Sequence, residues 1–204
     1  IFSIIYGGFN NIVLVVFLAL WSIHYTNRSI IWPFLIDKNG SMPLVVALLA
    51  FIFNIFNASF HGYWFLLMDN QYDSSWFLTP AFLIGLCVFL FGMIINIHSD
   101  KILLKLSKQK NGYQIPYGGF YKWISSPNYF GEIIEWIGWA IMTWSFSGFV
   151  FAHMYFGYAY QLAVPNVACL RRFTKLRKIR PANFAACTFC ISTISLLFCG
   201  VPNV

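Results

Sequence analysis

Three carboxylates lie inside stretches of sequence that are apolar enough to belong in a lipid bilayer. Asp100 ends the segment 92–100, and Glu132 and Glu135 lie within the segment 128–136. They make up half of the six acidic residues in the chain. A charged side chain at membrane depth is costly, and it usually faces the bundle interior or a wet cavity rather than lipid. These carboxylates therefore mark candidate functional positions.

The composition predicts an integral membrane protein. Of the 204 residues, 59% are hydrophobic and only 9% are charged, whereas a soluble domain carries about 25% charged residues. Because lipid cannot satisfy exposed backbone polar groups, helices are the favoured way to span it. We expect an all-α fold, a polytopic transmembrane helix bundle, with the lipid bilayer as its main partner. The net charge of +7 does not indicate nucleic-acid binding, because the basic residues lie beside apolar spans.

Apolar runs divide the chain into candidate spans of about 20 residues. The run over 128–164 would form a helix of about 55 Å, nearly twice the thickness of the hydrocarbon core, so we interpret it as two spans joined by a turn near Ser145. This gives five or six spans. We expect a membrane core over 1–164 and a basic segment with a terminal apolar helix over 165–204. The runs are 11–32, 43–67, 77–97, 128–164 and 183–200.

The basic residues support this division. All 13 lysines and arginines fall in or beside the first, third and fifth connections between these spans, with Arg28 near the end of the first run, and the second and fourth connections have none. Positive residues mark the cytosolic side of a membrane protein. The odd-numbered connections are therefore predicted to be cytosolic.

One helix face in the fourth apolar run is polar. Asn128, Glu132, Glu135 and Trp136 are spaced i, i+4, i+7 and i+8, which places them on the same face, and Pro127 suits a helix start. Carboxylates do not bind phosphate. We expect the glutamates to accept hydrogen bonds from ribose hydroxyls, an amide or an arginine, with a purely structural helix–helix network as the alternative.

Asn96 and Asp100 form a second polar pair, spaced i, i+4 at the end of the third run. They are candidates for the same site. The alternative is an interfacial aspartate that caps and solvates the helix end.

A third group lies late in the first run. The hydroxyl of a buried Tyr25 could donate a hydrogen bond to a substrate carbonyl, in the manner of an oxyanion donor. Arg28 follows at i+3 and could cooperate with it. The alternatives are a tyrosine in the interfacial aromatic belt and an arginine that extends its charge to the membrane surface.

The sequence contains no common motif for binding a metal or a nucleotide. The four histidines have no ligand spacing, so we expect no metal. Cys187 and Cys190 form a lone CxxC in an apolar run, which favours buried hydrophobes over zinc or redox chemistry. No GxGxxG, GxxxxGK[ST], GxSxG or HExxH motif is present. A nucleotide cofactor would need a pocket between membrane helices.

Several of these residues belong to motifs of one known family. The longest motif runs from Asn128 through Glu132, Glu135 and Trp136 to Gly138 and is followed by Trp144-Ser145. The shorter ones are His24-Tyr25 with Arg28, Asn57 with Gly62-Tyr63, the segment Gly92 to Asp100, and Ile115-Pro116 with Gly118-Gly119. On these motifs the chain resembles the steroid 5-alpha-reductase family (3-oxo-5-alpha-steroid 4-dehydrogenases) over about residues 15–157.

The resemblance implies a seven-helix membrane enzyme of the endoplasmic reticulum that uses NADPH to reduce the 4,5 double bond of a 3-oxo-4-ene steroid. The tyrosine at the position of Tyr25 would donate to the 3-keto oxygen as the catalytic residue, and Tyr25 and Arg28 are the substrate-binding candidates. Five residues would line the NADPH pocket: Asn96, Asp100, Asn128, Glu132 and Trp136.

Two other functions stay open. One is reduction of an enoyl-CoA or a polyprenol, as in other branches of the superfamily, and the other is a membrane scaffold without catalysis. The family has about two helices, with a partner glutamate, before the point where this chain opens at Ile1. We therefore expect a piece of a longer protein, and the resemblance leaves open whether this form is active.

Overall fold

The computed structural model describes residues 10–35, 44–68, 72–108, 116, 118–124 and 126–157, and these residues contain helices and turns but no strand. The five main helices are α1 (Ile12–Tyr25), α2 (Leu44–Tyr63), α3 (Pro80–Ser107), α4 (Pro127–Thr143) and α5 over 146–157. α1 continues through a π-helical segment, Thr26–Ile31, and a short turn, Trp32–Leu35, and α2 continues through the π-helical segment Trp64–Met68. Two 3₁₀ turns, Ser74–Leu78 and Gly119–Lys122, precede α3 and α4.

Two helical segments of the described residues are long and apolar enough to cross a membrane, namely Ile12–Ile31 and Pro80–Ser107. Large apolar side chains also cover much of the outer surface, and Phe34 and Leu78 are each 81% exposed. A broad apolar surface suits contact with lipid. The all-helical prediction is confirmed for the described residues, and the count of five or six spans stays a prediction. The predicted run 183–200 and the segment 165–204 lie outside the described residues.

α3 extends ten residues beyond the predicted end of the third apolar run at residue 97. The segment 98–107 falls in the third connection of the predicted division, but Ile102, Leu103 and Leu104 are half-buried in it while Lys101 and Lys105 are exposed. An amphipathic pattern of this kind is typical of a helix with one exposed face. Asp100 therefore lies inside the helix rather than at its end, and the capping interpretation is wrong.

α4 begins and ends where local chemistry requires it. Pro127 occupies the first helical position, as predicted. Trp144 ends the helix in the left-handed conformation with φ 45°, and the Ser145 hydroxyl accepts a hydrogen bond from the Gly148 backbone nitrogen at 3.0 Å. A serine oxygen at this position caps the next helix. The predicted turn near Ser145 is present between α4 and α5.

Glycines bring α3 and α4 into backbone contact. Gly85 and Gly92 on α3 and Gly131 and Gly138 on α4 are each spaced by seven residues, and a Cβ added at any of them would collide with the backbone of the facing helix. A Cβ at Gly131, for example, would lie 2.6 Å from the backbone nitrogen of Asn96. Small residues at helix interfaces allow such an approach in membranes. This contact sets the polar residues of α3 against the polar face of α4.

Aromatic side chains fix α1 on this pair. The Phe17 ring lies 5.7 Å from Trp139 of α4 and 6.4 Å from Phe82 of α3, between ring centroids. At the start of α1, the Asn11 side chain caps the helix and donates to the backbone oxygen of Tyr72 at 2.6 Å. The far end of α1 is thereby directed toward the polar residues of α3 and α4.

Candidate functional site

A buried ion-pair network connects the three elements. Arg28 lies in the π-helical segment that follows α1, and its Nη1 donates to Asp100 Oδ2 of α3 at 3.1 Å. Its Nε lies 3.1 Å from Glu132 Oε1 of α4. All three side chains are nearly inaccessible to solvent, with Arg28 only 3% exposed. Arg28 therefore does not extend to the membrane surface but neutralises part of the buried negative charge.

Asn96 connects α3 to the polar face of α4. Its Nδ2 donates to the Asn128 backbone oxygen and to Glu132 Oε1, both at 3.0 Å. The other Glu132 oxygen accepts a hydrogen bond from the Tyr155 hydroxyl of α5. Glu132 therefore accepts hydrogen bonds from α3 and α5 and pairs with the guanidinium of Arg28. These contacts fix its orientation at the centre of the site.

A second buried pair lies one helical turn further along α4. His24 Nδ1 lies 2.8 Å from Glu135 Oε1, and Glu135 is fully buried. The His24 ring also packs edge-on against Trp136, with 4.6 Å between ring centroids. His24 and Arg28 are four residues apart on one face, so α1 presents two cationic or hydrogen-bonding groups to the carboxylates of α3 and α4.

Tyr25 lies beside this pair and is half-buried. Its ring centroid is 5.0 Å from Trp21 and 6.1 Å from Trp136. Asn57 Nδ2 of α2 donates to the Tyr25 hydroxyl oxygen at 3.3 Å. Since this bond uses the acceptor side of the hydroxyl, the phenolic proton remains available for another acceptor.

Several buried polar atoms of the site have no hydrogen-bond partner within the described part of the chain. They include Arg28 Nη2, Ser99 Oγ, Asp100 Oδ1, Glu135 Oε2 and Trp136 Nε1. Buried polar groups are nearly always satisfied, so donors and acceptors of this kind are what a polar ligand would complete.

The turn before α4 covers one side of the network. Tyr121 lies in the 3₁₀ turn Gly119–Lys122, and its hydroxyl is 3.5 Å from the Ser99 backbone oxygen. Burial, and then the nearby Asp100 carboxylate, raise the pKa of Tyr121. The tyrosine stays a neutral phenol against a site that already holds three carboxylates.

The structure brings together every residue that the sequence nominated for a cofactor pocket. Asn96 and Glu132 are in direct contact, Arg28 joins Asp100 to Glu132, and the Asn128 backbone accepts from Asn96. Trp136 lies at the boundary between this network and Tyr25. Of the partners expected for the glutamates, an amide (Asn96) and an arginine (Arg28) are both seen for Glu132. The roles of these residues in binding a cofactor or substrate stay predictions.

Sequence reasoning did not assign roles to three residues of the site. His24 was grouped with Tyr25 and Arg28, but its i, i+4 spacing to Arg28 could have placed it on the inward face. Asn57 is a polar residue within an apolar helix, and this could have indicated that it faces another polar group such as Tyr25. Tyr155 carried no signal of this kind, because an aromatic in an apolar run is ordinary. Among the described residues no group of three or more potential metal ligands is found.

Comparison with known proteins gives a consistent family match. The sequence model of the 3-oxo-5-alpha-steroid 4-dehydrogenase family matches residues 40–180. That stretch includes α2 to α5 and therefore most of the site described above.

Named relatives agree with this match. The chain is 47% identical over 131 residues to steroid 5-alpha-reductase DET2 of Solanum lycopersicum, covering 63% of this chain and 51% of that protein. It is 44% identical over 138 residues to 3-oxo-5-alpha-steroid 4-dehydrogenase 1 of Bos taurus, covering 67% and 53%. For the Homo sapiens protein of that name, the identity is 41% over 142 residues, covering 69% and 54%. The chain spans about half the length of these curated relatives.

Proposed function

Since this chain belongs to the 3-oxo-5-alpha-steroid 4-dehydrogenase family, we propose that it takes part in reducing the 4,5 double bond of a 3-oxo-4-ene steroid with NADPH. The observation that carries the proposal is the buried network of Arg28, Asp100 and Glu132. One helical turn along α4 from Glu132, Trp136 packs near Tyr25, with 6.1 Å between ring centroids. The network offers hydrogen-bonding groups for a cofactor, and Tyr25 offers a proton donor for a ketone.

The residues present fit the hydroxyl and amide parts of such a cofactor. Asp100 Oδ1 and Glu135 Oε2 are free acceptors, and Arg28 Nη2 is a free donor, among the described residues. Ribose hydroxyls and a carboxamide supply both kinds of partner. Three carboxylates face two groups that can be cationic, so the network is unsuited to phosphate. We assign the phosphates to basic residues outside it and the cofactor contacts to Asn96, Asp100, Asn128, Glu132 and Trp136.

The chemistry at the substrate follows from Tyr25. NADPH, when bound, supplies the hydride that adds to the beta carbon of the enone. The Tyr25 hydroxyl donates a hydrogen bond to the 3-keto oxygen and stabilises the negative charge that develops there, and one such donor is worth about 10²-fold in rate. Asn57 holds the tyrosine oxygen in place. The rings of Trp21 and Trp136 exclude water from the reacting carbons.

The cellular setting belongs to the same proposal. We place the chain in the endoplasmic reticulum membrane with its basic connections cytosolic. Residues 1–164 would form the reductase core and 165–204 a divergent tail.

Purified chain in detergent provides the test. We expect saturable NADPH binding, followed by fluorescence of the nicotinamide, and conversion of testosterone to its 5-alpha-reduced product by mass spectrometry. Turnover of an enoyl-CoA or a polyprenol in place of testosterone would assign the chain to another branch of the superfamily. A folded helical spectrum without NADPH binding would favour a non-catalytic scaffold and contradict the proposal.

A further inference from the structure

One side of α3 is exposed along most of the helix and changes from apolar to basic along its length. It faces directly away from α4, because its residues lie about 180° around the helix axis from Gly85 and Gly92, which contact that helix. Its apolar part is open, and Ile94 is 64% exposed. The residues of this outward stripe are Leu83, Cys87, Leu90, Ile94, Lys101 and Lys105, with Lys108 directly after the helix.

The lysines of the outward stripe have no acidic neighbour along the chain. Asp100 is the sole acidic residue between positions 74 and 131 of the sequence, and it is buried and paired with Arg28. The one exposed acid of the described residues, Asp73, precedes the opposite end of α3, a helix of about 42 Å. Lys101 and Lys105 are spaced i, i+4, so their like charges repel each other. An anion at this position would relieve the repulsion.

The lysines lie along α3 at the level expected for the surface of a membrane. Counted from residue 97, where the apolar run ends, Lys101 is about 6 Å and Lys105 about 12 Å further along the axis. The headgroup region is about 5–7 Å thick on each side, and a long lysine side chain can reach back to it. The turn Gly119–Lys122 packs on α3 at this level, since a Cβ at Gly119 would lie 2.8 Å from His98 Nε2. Trp123, directly after the turn, is 78% exposed, as is typical of tryptophans at the membrane interface.

We propose that the outward stripe of α3 binds an anionic phospholipid. The acyl chains lie along its apolar part, and the headgroup lies at Lys101 and Lys105. Apolar contact alone does not distinguish one phospholipid from another, so the lysines supply the selectivity for negative charge. The stripe is on the opposite side of α3 from the helix that carries Glu132, so this site is separate from the polar network. The inference goes beyond the proposed reaction and does not depend on it.

The test places the purified chain in phosphatidylcholine nanodiscs with a trace of one of two photoactivatable lipids. These are phosphatidylserine and phosphatidylcholine that carry the same diazirine-bearing acyl chain. Mass spectrometry measures the yield of lipid adducts on the peptide that contains Leu90 and Ile94. Since one lysine near the membrane surface is worth about fivefold in binding an anionic lipid, we expect at least about fivefold more adduct from phosphatidylserine. Salt at about 1 M should reduce this preference, because it shortens the Debye length to about 3 Å.

Substitution of the lysines tests the headgroup contact. The double variant Lys101→Gln/Lys105→Gln should lower the preference for phosphatidylserine to about twofold or less. Lys101→Arg/Lys105→Arg keeps both charges and should retain the preference. Lys122→Gln is the matched control and should also retain it, because it removes an exposed lysine of the turn that is not part of the stripe. All of these positions are exposed, so the helical circular dichroism spectrum should be that of the parent.

Four results would overturn the proposal. Equal adduct yields from the two lipids would show that the stripe does not select for charge. The same loss of preference in Lys122→Gln as in the double variant would indicate diffuse surface charge rather than a site. Effective competition by glycerophosphoserine, which is the headgroup without acyl chains, would assign the lysines to a soluble anion. A dimer that excludes both lipids from the stripe would assign this side of α3 to a second copy of the chain.

Discussion

The Arg28 guanidinium donates to the Asp100 carboxylate at 3.1 Å although 72 positions separate the two residues. This bond ties the π-helical segment that follows α1 to the C-terminal part of α3, and Glu132 of α4 also lies beside Arg28. A buried charge network of this kind adds little net stability, because desolvation offsets the attraction. Its persistence in an apolar bundle is better explained by binding, and this is the reason to test its members for cofactor affinity first.

Substitution of Glu132 should separate binding from folding. Glu132→Gln keeps the shape and a hydrogen-bonding side chain, while Arg28 keeps Asp100 as its ionic partner. We expect NADPH affinity to fall about tenfold or more, because bonds to a charged group are worth about 1.5–3 kcal/mol, and the thermal midpoint to change little. Fluorescence titration and circular dichroism measure the two. Asp73→Asn is the matched control, since Asp73 is an exposed carboxylate; equal NADPH affinity in Glu132→Gln and parent would remove Glu132 from the pocket.

Loss of the Tyr25 hydroxyl should affect turnover and leave cofactor binding intact. Tyr25→Phe keeps the ring packed on Trp21 and removes the donor to the ketone. We expect the rate of testosterone reduction to fall about 10²-fold. NADPH affinity should stay within about twofold of the parent's, because the hydroxyl that is removed is bonded to Asn57 and not to a cofactor-binding residue. Steady-state product analysis measures the rate. Tyr63→Phe, at a tyrosine that is 47% exposed, should retain parental turnover, and parental turnover in Tyr25→Phe would exclude Tyr25 from the mechanism.

The sequence predicted which polar residues of α3 and α4 face the bundle interior, because their spacing is local. The i, i+4, i+7 pattern of Asn128, Glu132 and Glu135 requires only a helix, and the high cost of carboxylates in lipid requires that this face point inward. The pairing of the helices is different. Nothing in the order of residues showed that Arg28 would meet Asp100, or His24 meet Glu135, because these contacts depend on how α1 crosses α3 and α4.

The end of α3 shows a second limit. Loss of hydropathy after residue 97 marked the end of the apolar run, but the helix continues to Ser107 because its charged residues lie on one face. Hydropathy reports the depth of a segment in the membrane, whereas amphipathic periodicity reports its conformation. The two patterns diverge after residue 97, in the part of α3 that contains Asp100.

Close contact of α3 and α4 depends on glycine. Gly131→Ala would place a Cβ 2.6 Å from the Asn96 backbone nitrogen, so the helices must separate. We expect a loss of about 1–3 kcal/mol in unfolding free energy from overpacking, together with weaker NADPH binding because Asn96 and Glu132 move apart. SDS titration followed by circular dichroism measures the stability. Gly157→Ala is the control, since a Cβ there meets no atom within 4 Å; equal stability of Gly131→Ala and Gly157→Ala would contradict the packing argument.

The His24–Glu135 pair offers a test of energetic coupling inside the site. His24→Phe keeps an aromatic ring against Trp136 but leaves the Glu135 carboxylate buried without its 2.8 Å partner. Removing one member of a buried pair costs about 3–5 kcal/mol. Glu135→Gln removes the stranded charge, so the double variant should be more stable than the sum of the two single losses predicts, by about 0.5–3 kcal/mol.

Unfolding free energies of the parent, both single variants and the double variant, measured by SDS titration, give the coupling energy directly. The control cycle combines His24→Phe with Asp73→Asn. Asp73 caps the 3₁₀ turn Ser74–Leu78, next to Tyr72, which binds the opposite end of α1 from His24. That cycle should be additive within about 0.5 kcal/mol. Additive losses in the His24–Glu135 cycle as well would show that the two residues stabilise the bundle independently, and that the short distance between them reflects packing rather than an ion pair.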